Sequence, residues 1–176
     1  MTFATMIDRV LERVQDAGGS GTSRADVLRI LGLAQQQVNI ETSTIKSSVT
    51  LTTVPRQAFY PMQGFINDCA KIKHVISDGR QLDEIPFASL VEFDLDWARK
   101  TSARPDVWAV VGKNILVIYP TTDSPQDIEV IYVTIPSITT SEDDDLVLGD
   151  AYVPMILDLA EQLLRLRSRQ FAPKAP

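Results

Sequence analysis

The chain has 176 residues, 44% of them hydrophobic, enough for one domain with a real core or one domain with a helical appendage. Its net charge of −6 and pI near 4.7 argue against direct nucleic-acid binding, since proteins that bind nucleic acid usually present a basic face. A single cysteine, Cys69, and a single histidine, His74, exclude an internal disulfide framework and leave too few soft ligands for a structural zinc site.

Residues 3–14 carry Phe3, Met6, Ile7, Val10, Leu11 and Val14 at the i, i+3, i+4, i+7 spacing of one helical face. Asp8 and Arg9 stand where a signal peptide would have its apolar core, and no window approaches the roughly 18 apolar residues of a membrane span. The expectation is a protein that is soluble and intracellular at synthesis, with no membrane partner. Gly18-Gly19-Ser20-Gly21 breaks the first helix. Ser23 then caps a second, in which Val27, Leu28, Leu31, Ala34 and Val38 recur at helical spacing and Asp26 is placed to reach back to the cap.

From Thr42 the pattern changes to period two. Val49, Leu51 and Thr53 alternate with Ser48, Thr50 and Thr52, which predicts a strand, with Phe59-Tyr60-Pro61 as its returning partner. Residues 69–77 alternate again, placing Cys69, Lys71, Lys73 and Val75 on one side and Ala70, Ile72, His74 and Ile76 on the other. Asp78-Gly79 signals a hairpin. Pro86 opens a short helix that runs to about Asp94. Two apolar runs, residues 107–111 and 115–119, form a core hairpin across Gly112-Lys113-Asn114. Residues 114–119 and 128–135 then read as strands around a Pro/Asp turn at 120–125.

Glu142, Asp143, Asp144, Asp145 and Asp150 crowd one linker, and Arg165, Arg167, Arg169 and Lys174 crowd the C-terminus. The closing helix starts near Asp150, with Pro154 in its first turn. Its main apolar face is Tyr152, Met155, Ile156, Leu159, Leu163 and Leu166. Val153, Leu157, Ala160 and Leu164 widen the stripe, so the helix is expected to touch two neighbours. The expected layout is a helical hairpin at 1–41, a β-rich region at 42–140 with a short helix near 86–94, an acidic linker at 141–147, a closing helix at 148–170 and a flexible tail at 171–176. Together these form a single structural domain of α+β class, in which the N-terminal hairpin and long C-terminal helix pack with an antiparallel β-sheet or sandwich.

No constellation carries chemistry. The glycine-rich run at 18–23 follows a helix and lacks the Lys-Ser/Thr pair of a phosphate loop, so it reads as a linker. Glu142–Asp145 lacks the central glycine and late glutamate of a calcium loop and reads as solvated. Glu92, Asp94 and Asp96 read as solvent-facing acids, because no substrate-binding or phosphate-binding motif accompanies them. His74 and Cys69 lie in a strand pattern without a nucleophile motif, and Trp97 and Trp108 read as core. No catalytic residue, cofactor or metal is expected.

The order of segments resembles the head-to-tail adaptor, or connector, proteins of tailed bacteriophages. The similar features begin with the helix pair carrying Ala34-Gln-Gln-Gln-Val38, the Val49-Thr-Leu-Thr-Thr53 strand with Gln57-Ala-Phe-Tyr-Pro61, and Val75-Ile-Ser-Asp-Gly-Arg-Gln-Leu82. They continue through Ile115-Leu-Val-Ile-Tyr-Pro120, Pro125, Ile131-Tyr-Val133, Pro136, Leu146-Val-Leu148 and Tyr152. The resemblance implies a non-enzymatic virion protein of the neck, found in the host cytoplasm during assembly. It further implies a homo-oligomer, a dodecameric ring below the portal protein, that receives the tail, tail tube or nozzle while genomic DNA passes without specific binding. Within that reading, Glu142, Asp143, Asp144 and Asp145 of one subunit face Arg165, Arg167 and Arg169 of the next, and the tail with Phe171 and Lys174 orders against the portal or an adjacent subunit. A tail-side or baseplate structural protein is the alternative, with a small hydrolase using Glu92, Asp94 or Asp96 more distant.

Overall fold

A computed structural model describes residues 1–15 and 22–171, with only the backbone described for Gln15 and for residues 168–171. The expected glycine break at 18–21 and the tail beyond Phe171 lie outside the described residues. In chain order the elements begin with helices α1 (Phe3–Gln15) and α2 (Arg24–Thr42) and strands β1 (Lys46–Thr52), β2 (Phe59–Pro61), β3 (Cys69–Ser77), β4 (Arg80–Gln81) and β5 (Asp83–Glu84). Helix α3 (Phe87–Phe93) follows, then strands β6 (Thr101–Ser102), β7 (Val107–Val111), β8 (Ile115–Tyr119), β9 (Thr121–Thr122) and β10 (Asp127–Thr134), and finally helix α4 (Val153–Phe171). The fold is α+β, and the chain divides into two compact units: a helical one, Met1–Ile45 with Ile135–Pro176, and a β one, Lys46–Thr134.

In the helical unit α1, α2 and α4 pack pairwise. The helical spacing of Phe3, Met6, Ile7 and Val10 puts them in one core with Val27, Leu31, Ala34 and Val38 of α2. Each large side chain so buried contributes about 1.5–3 kcal/mol. Ser23 caps α2 as expected, its hydroxyl accepting from the Asp26 N–H at 3.1 Å, while Asp26 takes the Ser23 hydroxyl proton on its carboxylate at 2.7 Å. Ser43, left-handed at φ 55, ends the helix by donating its N–H to Asn39 O at 2.7 Å. Two amides are fully buried in this unit and hold loops: Asn39 Oδ1 accepts from Ile45 N at 2.7 Å and Gln35 Oε1 from Val147 N at 3.1 Å.

A single-turn 3-10 helix, Asp150–Tyr152, leads into α4, with Pro154 in the first turn. The buried face of α4 differs from the main stripe expected. Val153, Ile156, Leu157, Ala160 and Leu164 are buried, whereas Met155 and Leu166 are 45% and 56% exposed. The stripe is wide enough to face either way, and contact with both α1 and α2 selects the 153/157/160/164 line.

The β unit is a sandwich of two four-stranded sheets, ordered β1-β10-β3-β4 and β2-β8-β7-β5, with a two-stranded parallel pair β6-β9. Tyr60, Trp108, Leu116 and Ile118 of one sheet meet Ile72, Val75, Ile128, Val130 and Tyr132 of the other. Helix α3 and the Trp97–Arg99 turn cover the opposite face of β7 and β8, where Leu90 and Trp97 pack on Ala109 and Val117. Burial on both faces explains why these two strands are apolar runs and not alternating ones.

Two strand-level expectations change. β2 pairs with β8, and β1 pairs with β10 instead of β2. The connection between β1 and β2 is held by the segment before β10: Thr53 N–H donates to Gln126 O at 2.8 Å and Arg56 N–H to Thr122 O at 2.9 Å, which carries the chain over to the second sheet. The alternation predicted along β3 breaks because His74 pairs with Ile131 and Ile72 with Tyr132, leaving Lys73 as a bulge, so that Ile72, Val75 and Ser77 are the buried positions. The strands expected on either side of the 120–125 turn are present as β8 and β10, which belong to different sheets. The Asp78-Gly79 hairpin is as expected, with φ 50 and 74 at the two turn residues.

Candidate interaction surfaces

The acidic segment before α4 is fixed by its backbone. The first N–H groups of a helix lack intrahelical acceptors, and in α1 the segment supplies them. Phe3 N–H donates to Asp144 O at 3.1 Å and Ala4 N–H to Glu142 O at 2.8 Å, while Leu146 N–H donates to Met1 O at 3.1 Å. Thr2 and Asp145 form an antiparallel bridge.

The side chains divide into engaged and free. Glu142 takes Nε and Nη2 of Arg24, at 3.1 and 2.6 Å to Oε2, and the same guanidinium donates to Asp8 at 2.6 Å. These two carboxylates hold the Arg24 guanidinium above its already high ordinary pKa, with Glu142 the larger cause. The terminal amine of Met1 lies 3.7 Å from Asp145 and 3.4 Å from Asp150. Asp143 and Asp144 are exposed and pair with no cation among the described residues.

On α4, Arg165 pairs with Glu161 at 2.5 Å, one helical turn back. Arg167 pairs with Asp26 at 2.6 Å. The Asp26 carboxyl is held below its ordinary value, first by Arg167 and then by Ser23. Arg13 reaches Asp158 at 2.8 Å. The side chains of Arg169 and Phe171, and the whole of Lys174, lie outside the described residues. Of the predicted surface, the structure therefore places Glu142, Asp145, Arg165 and Arg167 in ion pairs within one chain and leaves Asp143 and Asp144 open to solvent. Sequence reasoning missed Arg24, because its partners are 16 and 118 residues away.

The residues weighed for chemistry differ in their surroundings. Glu92 and Asp96 are exposed, but the Asp94 side chain is only 9% exposed and is a correction to the solvent-facing expectation. It accepts from Lys100 Nζ at 2.8 Å, from the Tyr119 hydroxyl at 2.8 Å and from Asp96 N–H at 3.1 Å. Lys100 first and Tyr119 second hold this carboxyl below the usual range, which suits a strut and not a general base. Cys69 is half-buried, its thiol pushed up by burial and then by Asp68, the reverse of activation. His74 is half-buried as expected, and Trp97 and Trp108 are core at 8% and 1% exposure. Among the described residues no helix is long and apolar enough to cross a membrane.

A known protein family matches most of the chain. The family model described as SU10 adaptor protein fits residues 1–171. No curated protein matches the sequence. The two helices at the start, the strands between and the helix at the end all fall within the matched span. The chain therefore belongs to the SU10 adaptor protein family, the phage head-to-tail adaptors, and is a viral structural protein.

Proposed function

We propose that the protein assembles as a ring, a dodecamer in the virion, beneath the portal vertex, where it extends the channel for genomic DNA and docks the tail, tail tube or nozzle. The observation that carries this reading is the agreement of residues 1–171 with a head-to-tail adaptor family. Membership makes the chain a virion component whose partners are portal and tail proteins. The net charge of −6 supports passage of DNA without adhesion, since phosphate contacts would release counterions and hold the genome in place. The role is structural and uses no catalytic group or cofactor. Its contact regions are the segment Glu142, Asp143, Asp144 and Asp145 and the end of the chain with Arg165, Arg167, Arg169, Phe171 and Lys174.

The test is cryo-electron microscopy of the protein mixed with the portal of the same phage. A ring stacked coaxially on the portal is the expected result. Bare portals beside protein that instead decorates tail tubes would replace this reading with a tail-side structural role.

A further inference from the structure

Two arginines of the β unit reach one recess from separate loops. Arg56 belongs to the connection between β1 and β2, and Arg99 to the Trp97–Arg99 turn; with Ala98, Thr101 and Thr121 they line a pocket of about 360 Å³. Both side chains are exposed, and neither pairs with a carboxylate among the described residues. Arg13, Arg24, Arg80, Arg104, Arg165 and Arg167 all do; Arg9 and Arg29, exposed on α1 and α2, also lack such a partner among the described residues, and what sets Arg56 and Arg99 apart is that they share one pocket.

Both loops are held firmly. Arg56 has φ 63, a left-handed conformation that a bulky residue adopts only where the surroundings enforce it. Here its N–H is tied to Thr122 O at 2.9 Å, and Gln57 N–H closes the turn on Val54 O at 3.0 Å. On the other side Trp97 is wedged edge-on between Phe59 and Phe87, each ring 5.4 Å away, and Arg99 N–H donates to Asp96 O at 2.9 Å. Guanidinium forks on fixed loops recognise planar or tetrahedral oxyanions.

A pair of carboxylates suits two guanidiniums on fixed loops. Duplex DNA is a poor fit, because two phosphate contacts supply a weak, salt-labile attraction that a chain of net charge −6 opposes. Asp143 and Asp144 are the complement: exposed, unpaired among the described residues, and carried on a segment whose backbone is pinned to the start of α1. Arg165 and Arg167 already hold carboxylates of their own chain, so they are not free to take this pair without giving up Glu161 and Asp26. We propose that Arg56 and Arg99 of one copy receive Asp143 and Asp144 of the neighbouring copy, an inference that rests on the ring reading above. Such a contact joins two different patches, the heterologous geometry from which closed rings are built. Both halves are ordered beforehand, which lowers the entropy lost on docking.

A charge swap tests it. Arg56→Glu with Arg99→Glu, and separately Asp143→Arg with Asp144→Arg, are each expected to lower the number of copies stacked on portal by about tenfold, and the four changes together to restore it to within about threefold of wild type. The milder pair Arg56→Gln with Arg99→Gln serves if a reversed variant does not fold. Variants that stack like wild type, or a four-fold swap no better than either half, would overturn the inference while leaving the adaptor reading intact. Wild-type protein that never stacks on portal would remove both. Duplex DNA binding that disappears with Arg56→Gln and Arg99→Gln, in protein whose stacking is unchanged, would reassign the pocket to phosphate and overturn the carboxylate assignment.

Discussion

The Arg167 guanidinium donates to the Asp26 carboxylate at 2.6 Å, joining the last turns of α4 to the first turn of α2. Asp26 also sits where the α2 dipole favours a negative charge. Arg167 and then Ser23 hold its carboxyl below its ordinary value, so the folded state favours the charged form. The sign follows: this contribution is complete above about pH 4 and is lost as pH falls through the lower folded value. The thermal midpoint of wild type should therefore exceed that of Asp26→Asn by more at about pH 7 than at about pH 3. An equal gap at both would show that the carboxylate charge adds nothing.

The covered carboxylate of Asp94 makes a second titration informative. Burial and then Asp94 hold the Tyr119 phenol above its ordinary value, while Lys100 pulls the other way. In Asp94→Asn the raising influence of the carboxylate goes and Lys100 remains. Ultraviolet titration of the variant should show one tyrosine ionising at lower pH than in wild type, with Tyr60 and Tyr132, also raised by burial, unmoved. Identical curves would place Tyr119 outside the influence of Asp94.

Gly32 is buried in the interior of α2, where an added Cβ would lie 3.3 Å from Ile138 Cγ2 and 3.8 Å from the nearest backbone atom. Ile138 is 48% exposed and can swing away. The gain in helix propensity should win for the smallest side chain, so Gly32→Ala is expected to raise stability by about 0.5–1 kcal/mol. Gly32→Leu overfills the site and should lower it by about 1–3 kcal/mol. Urea unfolding of both variants decides the point.

Large apolar side chains on or beside α3 should respond very unequally to substitution. Trp97→Ala removes a core side chain that touches Phe59 and Phe87, for an expected loss of about 3–5 kcal/mol. Phe93 and Leu95 are 83% and 89% exposed, and changing either to Ser should alter stability by less than about 0.5 kcal/mol. A large loss at Phe93 in a urea titration would mean that the side chain is covered in solution.

The parts of the fold that were readable from sequence are those in which local pattern and burial coincide. α1 and α2 bury the faces their spacing marks, and β7 and β8 are apolar because both sides are covered. The Asp78-Gly79 turn is readable because positive φ at two successive positions demands those residues. Pairing between distant segments leaves no such local trace. Nothing in Phe59-Tyr60-Pro61 distinguishes β8 from β1 as a partner, and the bulge at Lys73 is imposed by the register of β10. The face of α4 was ambiguous because two stripes were both apolar. Of the charged surface, composition identified the acids and arginines, but their sorting into engaged and free depended on Arg24 and Asp26, each brought in from another helix.

The helical unit is written in two pieces, with the β unit inserted between α2 and residue 135. Lys46 and Val133 are register partners, so the insertion leaves and returns side by side and the interruption requires no long bridge. During synthesis, however, α1 and α2 emerge well before α4, and Ile7, Val10, Leu31 and Ala34 must wait for Ile156 and Ala160 to cover them. A chain cut short within the insertion has neither a closed bundle nor the segment that caps the start of α1. Translation through α4 is thus the condition for displaying Asp143 and Asp144 in their fixed positions, and products cut short before it are left with sticky helices for proteases to find.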